Sequence, residues 1–230
     1  MRKLWWKIVC IVLLFYVIVN GLMGTVPHLP ILNESIRNTY FHVALWLAMT
    51  LLLFTSMIFS VRYLNSGDIK HDDIASELAK SGLFYGILGC LTGSLWANFT
   101  WGDPWPNDPK LNGAAVGILI YLAYILLRSS FEDEQRRARI ASVYNIFAFA
   151  VFVPLIYILP RLTDSLHPGS GGNSTFGSYD MNNDLRMVFY PAIIGWILMG
   201  LWLAELRVRI KRINRLKEEN FLEVQKSSRS

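Results

Sequence analysis

Residues 83–127 read LFYGILGCLTGSLWANFTWGDPWPNDPKLNGAAVGILIYLAYILL. Two apolar runs, Leu83–Thr100 and Asn112–Leu127, flank a short connection that is rich in tryptophan and proline. A helix that crosses a bilayer needs roughly 20 mostly apolar residues, and each run approaches that length. We therefore expect two transmembrane helices joined at the membrane surface by residues 101–111. We call Trp96–Leu111, which contains three tryptophans, the tryptophan segment.

The rest of the chain has the same character, because 53% of its 230 residues are hydrophobic. This composition indicates a membrane protein rather than a soluble globule. Backbone groups in lipid must be hydrogen-bonded within each segment, and the alternating pattern of a membrane barrel is absent. The sequence therefore predicts an all-α polytopic membrane protein with six transmembrane helices and an external tryptophan-rich segment between helices 3 and 4. The six predicted spans are Leu4–Met23, His42–Leu64, Leu83–Thr100, Asn112–Leu127, Ile140–Leu159 and Met187–Leu206.

Lysine and arginine are distributed unequally between the two membrane faces that these spans define. One face holds Arg2, Lys3, Lys7, Arg62, Lys70, Lys80, Arg128, Arg136, Arg137, Arg139 and the basic residues from Arg207 onward. The other face holds only Arg37, Lys110, Arg161 and Arg186. The positive-inside rule then places both termini in the cytoplasm and the connections 25–41, 101–111 and 160–186 on the outer side.

The domain organisation expected is one membrane domain, residues 1–206, followed by a basic cytoplasmic tail, residues 207–230. The tail is expected to lie against anionic lipid, with binding to a partner protein as the alternative. The first span could instead be a cleaved signal peptide, but no small-x-small cleavage pattern follows it, so we favour a retained helix. Neither a C-x-x-C-H sequence nor a P-loop sequence occurs, which argues against covalently attached haem and against P-loop nucleotide hydrolysis.

Two histidines of the outer face, His42 and His167, flank the tryptophan segment. A single histidine at a membrane interface is usually an ordinary amphipathic residue, whereas two at one depth beside aromatic residues suggest a planar ligand held between them. Haem meets these requirements, since its iron accepts two neutral imidazoles as axial ligands. His28 is also external but is a weaker candidate, and His71 is expected to be a cytoplasmic surface residue.

The remaining parts of a haem site are also available on this face. Trp96, Trp101 and Trp105 would supply aromatic contact to the macrocycle. The two propionates require cations, for which the candidates are Arg37, Lys110, Arg161 and Arg186. Asp108 has two interpretations, either as an N-terminal cap of the fourth span or as a contact for haem or its protein acceptor.

The sequence Trp101-Gly-x-x-Trp105-x-x-Asp108-x-Lys110-Leu111 resembles the tryptophan-rich WWD signature of haem-handling proteins, and within that group the CcmC family. The family usually reads close to WGTWWVWDARL, so this chain departs from it at Pro104, Asn107 and Lys110. These departures reduce the aromatic area of the segment and add proline stiffness.

The resemblance implies that the tryptophan segment binds haem b, non-covalently and transiently, at the periplasmic side of a bacterial inner membrane. It implies that His42 and His167 are the axial ligands. It also implies delivery of haem to a CcmE-type haem chaperone in c-type cytochrome maturation, together with a CcmAB-type ABC transporter. Such a protein would transfer a cofactor and catalyse no bond change. Two alternatives stay open: a haem-attachment synthase of the related CcsA type, and the permease subunit of an ABC exporter.

Overall fold

The computed structural model describes residues 4–28, 32–167 and 181–227, and the regular structure in these ranges is entirely helical. The helices are α1 (Trp5–Met23), α2 (His42–Ser66), α3 (Ile69–Trp101), α4 (Pro109–Ser129), α5 (Glu134–Val153), α6 (Leu159–Leu162) and α7 (Asn183–Ser227). A 3₁₀-helix (Asn33–Tyr40) precedes α2, and a π-helical turn (Pro154–Ile158) joins α5 to α6.

Six helical segments in the described part of the chain are long and apolar enough to cross a membrane. They are Trp5–Met23, Asn33–Ser66, Ile69–Trp101, Pro109–Ser129, Glu134–Leu162 and Asn183–Glu218. The prediction of an all-α protein with six spans is therefore confirmed. Successive spans run in opposite directions, so the bundle has two ends. We call the end with His42 and residues 102–108 the site end, and the end with the turns after Ser66 and Ser129 the far end.

The contact between α2 and α3 depends on glycines that recur along one face of α3. A methyl group added to any of them would meet a side chain of α2 at less than 3 Å, so the two helices approach more closely than larger residues would permit. Small residues at such spacing allow close packing of helices in membranes. The glycines, with the α2 residue that each meets, are Gly82 (Leu53), Gly86 (Met49), Gly89 (Trp46) and Gly93 (His42). This packing fixes His42 and Trp46 against α3.

At the far end, α3 begins at Ile69, ahead of the predicted membrane span, which begins at Leu83. Its first turns are acidic but buried, because distant helices supply the cations. The guanidinium of Arg128 donates to both oxygens of Asp72, at 2.6 and 2.7 Å. Asp73 pairs in the same way with Arg215, at 2.8 and 3.0 Å.

Helix α7 crosses the expected domain boundary at residue 206 without a break. Lys211 lies 2.8 Å from Asp73, which Arg215 also contacts, so the first part of the basic tail packs on α3. The division into a membrane domain, residues 1–206, and a basic tail, residues 207–230, stays a prediction.

Candidate functional site

The site end of the bundle encloses a cavity of about 400 Å³. His42 and His167 both line it, as do Trp96, Trp101 and Trp105. Apolar residues at or next to the 3₁₀-helix, α4 and the start of α7 complete the wall, among them Leu32, Ile36, Leu111, Ala114, Met181 and Leu185. Residues that were identified in three separate parts of the sequence therefore meet at one cavity.

His42 is the first residue of α2, and its imidazole is fixed by a hydrogen bond to the backbone of α3. Its Nδ1 lies 2.9 Å from the carbonyl oxygen of Gly89. A carbonyl only accepts, so the proton belongs on Nδ1, and Nε2 keeps its lone pair. The ring also packs edge-on against Trp46 and Trp96, at 6.4 and 5.8 Å between ring centroids. These contacts hold the ring in place and leave one unprotonated nitrogen for a ligand.

His167 follows α6, and its imidazole is held in a similar way. Its Nδ1 lies 3.1 Å from Oδ1 of Asp108, and its ring packs against Trp101 with centroids 5.1 Å apart. Burial, and to a smaller extent the nearby charge of Lys110, lower the pKa of His167 to about 4, although Asp108 opposes both effects. The ring is therefore neutral at pH 7, and its contact with Asp108 is a hydrogen bond from Nδ1–H rather than an ion pair. Nε2 again keeps its lone pair.

Asp108 joins two segments that are far apart in the sequence. It is the N-cap of α4, where Oδ1 accepts from the backbone N–H groups of Lys110 and Leu111. Oδ2 accepts from the hydroxyl of Ser165 and from the backbone N–H of Leu166, at 2.8 and 2.7 Å. Burial alone would raise the pKa of Asp108, but these hydrogen bonds outweigh it and lower the pKa. The structure thus shows the cap, while the carboxylate lies behind His167 and does not line the cavity.

The three tryptophans differ in how firmly they are held. Trp96, on α3, donates from Nε1 to the hydroxyl of Ser35 at 3.1 Å. Trp101 is the last residue of α3 and contacts the His167 ring. Trp105 lies in the connection before α4, donates to Asn112 at 3.3 Å and remains 39% exposed. The cavity thus has two aromatic walls inside the bundle and one indole at its surface.

Of the four candidate cations, the structure brings Lys110 and Arg161 to the cavity. Arg37 lies outside the cavity wall, because its guanidinium donates to the carbonyl oxygens of Gly21 and Gly24, at 3.0 and 2.7 Å. It also contacts the carboxylate of Glu34. Arg186, on α7, is likewise absent from the lining. Within the described residues no ion pair is formed by Lys110 or Arg161, so both are available to an anionic ligand.

The π-helical turn and the residues after it contribute three cavity residues that the sequence did not indicate, namely Ile156, Tyr157 and Pro160. A π-turn inserts one residue into a helix and is common at functional sites. Here it is followed by Pro160 and Arg161, and four residues of this region line the cavity, namely Ile156, Tyr157, Pro160 and Arg161. The hydroxyl of Tyr157 lies 2.6 Å from that of Thr50, which ties the turn to α2. Pro154, inside the fifth predicted span, and Pro160, directly after it, are the sequence signal of this irregularity.

The site combines two neutral imidazoles, aromatic walls and the cations Lys110 and Arg161, which form no ion pair with another described residue. Imidazoles whose Nδ1–H is hydrogen-bonded are typical metal ligands, since the bond fixes the tautomer and the ring orientation. The flat aromatic walls favour a planar apolar body, and the cations favour acidic groups at its edge. The arrangement therefore suits a planar organic ligand that carries a metal ion and carboxylates.

Comparison with known proteins identifies the family. The family model described as CcmC, heme exporter protein C, matches residues 1–223. The chain belongs to the heme exporter protein C family.

Two relatives that carry the name heme exporter protein C show how similar this chain is to them in sequence. The protein of that name from Escherichia coli (strain K12) is 24% identical over 184 residues, which cover 77% of this chain and 70% of the relative. The one from Bradyrhizobium diazoefficiens is 27% identical over 185 residues, or 78% and 68% of the two chains. A cytochrome c biogenesis protein CcsA from Synechococcus is 31% identical over 80 residues, which are 35% of this chain and 26% of that protein.

Proposed function

We propose that this chain binds haem b between His42 and His167 and delivers it to a CcmE-type haem chaperone during the maturation of c-type cytochromes. The observation that carries the proposal is the pair of imidazoles at one cavity, each with its Nδ1 held by an acceptor. Haem is the cargo of such a protein, so it must be bound firmly enough to be captured and loosely enough to be released.

The donor set fits haem iron. Both rings keep an unprotonated Nε2 when Nδ1–H donates, to Gly89 in one case and to Asp108 in the other. Iron in bis-histidine haem is bound by such neutral imidazoles. A hydrogen bond from Nδ1–H raises the basicity of an imidazole toward a metal ion.

The lining fits the rest of the molecule. The tryptophans would contact the macrocycle, while Lys110 and Arg161 would pair with its propionates. We favour these two among the four candidate cations because both line the cavity, whereas Arg37 donates hydrogen bonds to backbone carbonyl oxygens. Charge-assisted pairs of this kind are about twice as strong as neutral hydrogen bonds.

The family name supports haem as the cargo, and the name of the CcsA relative supports cytochrome c biogenesis as the process. We further propose a bacterial inner-membrane location with both termini cytoplasmic, which puts the site end at the periplasmic side. A CcmAB-type ABC transporter would be a second partner. Trp105 is the exposed indole at the mouth of the cavity, so it is a suitable contact for an incoming haem chaperone.

The first experiment is an absorption spectrum of the detergent-purified protein supplied with haem, oxidised and reduced. We expect a bis-histidine b-type spectrum that is lost or shifted in His42→Ala and His167→Ala. His28→Ala and His71→Ala are matched controls, because neither residue lines the cavity. A wild-type protein that takes up no haem, or variants with unchanged spectra, would contradict the proposal.

The delivery step needs a separate test. Haem-loaded protein is mixed with a purified CcmE-type chaperone, and the haem content of each is measured after separation. We expect haem to move to the chaperone. If the chain matures a reporter c-type cytochrome with no chaperone present, the CcsA-type synthase is favoured instead. A requirement for ATP in the uptake of haem into vesicles would favour the ABC permease.

A further inference from the structure

We infer that Asp108 is a positioning residue that acts through His167, fixing its tautomer and making its imidazole a stronger donor to iron than that of His42. The inference rests on the proposed haem site and deepens it. Asp108 would then act on haem iron through the His167 imidazole and would not contact haem directly.

The side chain of Asp108 does not face the cavity. Its side chain is fully buried, and its two oxygens accept from five groups on α4 and on the segment that carries His167. Four of these groups are structural, and the fifth is Nδ1 of His167. The carboxylate therefore lies behind the imidazole, on the side opposite to the nitrogen that iron would use.

This arrangement ties a ligand-bearing segment to a rigid helix end. Ser165, Leu166 and His167 have no regular structure of their own, yet all three contact the carboxylate that caps α4. The same cap lies within the tryptophan segment. Asp108 thus sets the position of His167 relative to Trp101 and Lys110.

The two proposed axial ligands differ in the charge of the group that accepts the hydrogen bond from Nδ1–H. His42 donates to a neutral carbonyl, whereas His167 donates to a carboxylate. A hydrogen bond to a carboxylate gives the imidazole more anionic character, which raises its basicity toward a metal. An anionic partner stabilises the more positive oxidation state of iron, so it lowers the reduction potential of bound haem.

The test uses Asp108→Asn in the full-length protein. Asparagine is as good an N-cap as aspartate, so α4 keeps its start while the charge is lost. We expect haem affinity to fall by about 10–100-fold, as for other changes behind a metal-bound histidine. We also expect the reduction potential to rise and the low-spin electron paramagnetic resonance signal to change.

Two control variants separate charge from tethering. Asp103→Asn removes the same charge from an exposed position in the same connection, where the Asp103 carboxylate accepts a hydrogen bond from the backbone N–H of Trp105. Ser165→Ala removes one tether but leaves the contact between Asp108 and His167. Both variants should keep the wild-type reduction potential. A change of equal size in Asp103→Asn would overturn the inference, as would a wild-type potential in Asp108→Asn.

A second measurement needs no bound haem, so it tests the inference even if the Asp108→Asn variant does not bind haem. Nitrogen-15 chemical shifts of the histidines in the ligand-free protein report which ring nitrogen carries the proton. We expect His167, assigned with His167→Ala, to be the Nδ1–H tautomer in the wild type and to change toward the Nε2–H tautomer in Asp108→Asn. An unchanged tautomer would contradict the inference. Failure of the proposed function is a different result, namely no haem uptake by wild type and Asp103→Asn alike.

Discussion

At the scale of single residues, the position of His42 depends on the absence of a side chain at Gly93. A methyl group at Gly93 would lie 2.6 Å from Cε1 of His42. The ring cannot move aside without losing contacts, because its Nδ1–H donates to the carbonyl oxygen of Gly89 and two tryptophans pack against it. We predict that Gly93→Ala lowers haem affinity and alters the spectrum, even though alanine favours a helix by up to about 1 kcal/mol over glycine.

Gly86→Ala is the matched control for this change. It lies on the same face of α3, but the methyl group there would meet the end of the flexible Met49 side chain. Haem titrations of the two variants should therefore differ, with Gly86→Ala close to wild type. Equal affinity in both variants would show that the contact between α3 and His42 does not set the site.

The sequence identified most of the residues at the cavity but not their partners. His42, His167 and the tryptophans were placed on one face by the topology of the spans, and the structure brings them together. The choice among cations could not be made, because Arg37 is engaged by backbone carbonyls, and carbonyl directions are not readable from a sequence. The bond from His167 to Asp108 was hidden for a similar reason, since both segments lie outside the spans.

At the scale of helices, the buried start of α3 is the main difference between the predicted and the observed spans. The turn containing Asp72 is too polar to be recognised as part of a span, and Arg128, its partner, lies on another helix. Asp72 and Arg128 are 1% and 8% exposed in their side chains. A hydropathy profile counts each charged residue separately, whereas in the folded protein these charges are paired with opposite charges on other helices.

This pairing predicts a large effect of a single substitution. Asp72→Ala would leave the guanidinium of Arg128 buried without its partner, which typically costs about 3–5 kcal/mol of unfolding free energy. Glu34→Ala is the control, since Glu34 is 68% exposed in its pair with Arg37, and such pairs contribute about 0–1 kcal/mol. Denaturation titrations of the purified variants measure both. A loss in Asp72→Ala no greater than in Glu34→Ala would contradict this account.

At the scale of the whole molecule, the unequal distribution of lysine and arginine predicts how the bundle sits in the membrane. The far end gathers most of the basic residues, including Arg128, Lys211 and Arg215, even though several of these are paired with carboxylates in the fold. The rule counts basic residues near the spans and is not a net-charge rule, so this pairing does not weaken it. The far end is therefore expected in the cytoplasm, and the cavity at the opposite surface, where a periplasmic acceptor of haem would meet it.

Cysteine labelling tests this orientation directly. In a background with Cys10 and Cys90 replaced by alanine, Asp103→Cys reports on the site end and Glu132→Cys on the far end, and both positions are exposed. A membrane-impermeant maleimide should label Asp103→Cys in spheroplasts and Glu132→Cys only in inverted vesicles, because the reagent reaches one face at a time. The reverse pattern would put the cavity on the cytoplasmic side. Haem bound there could not be passed to a periplasmic chaperone, so the delivery step would fail even if both histidines bind iron.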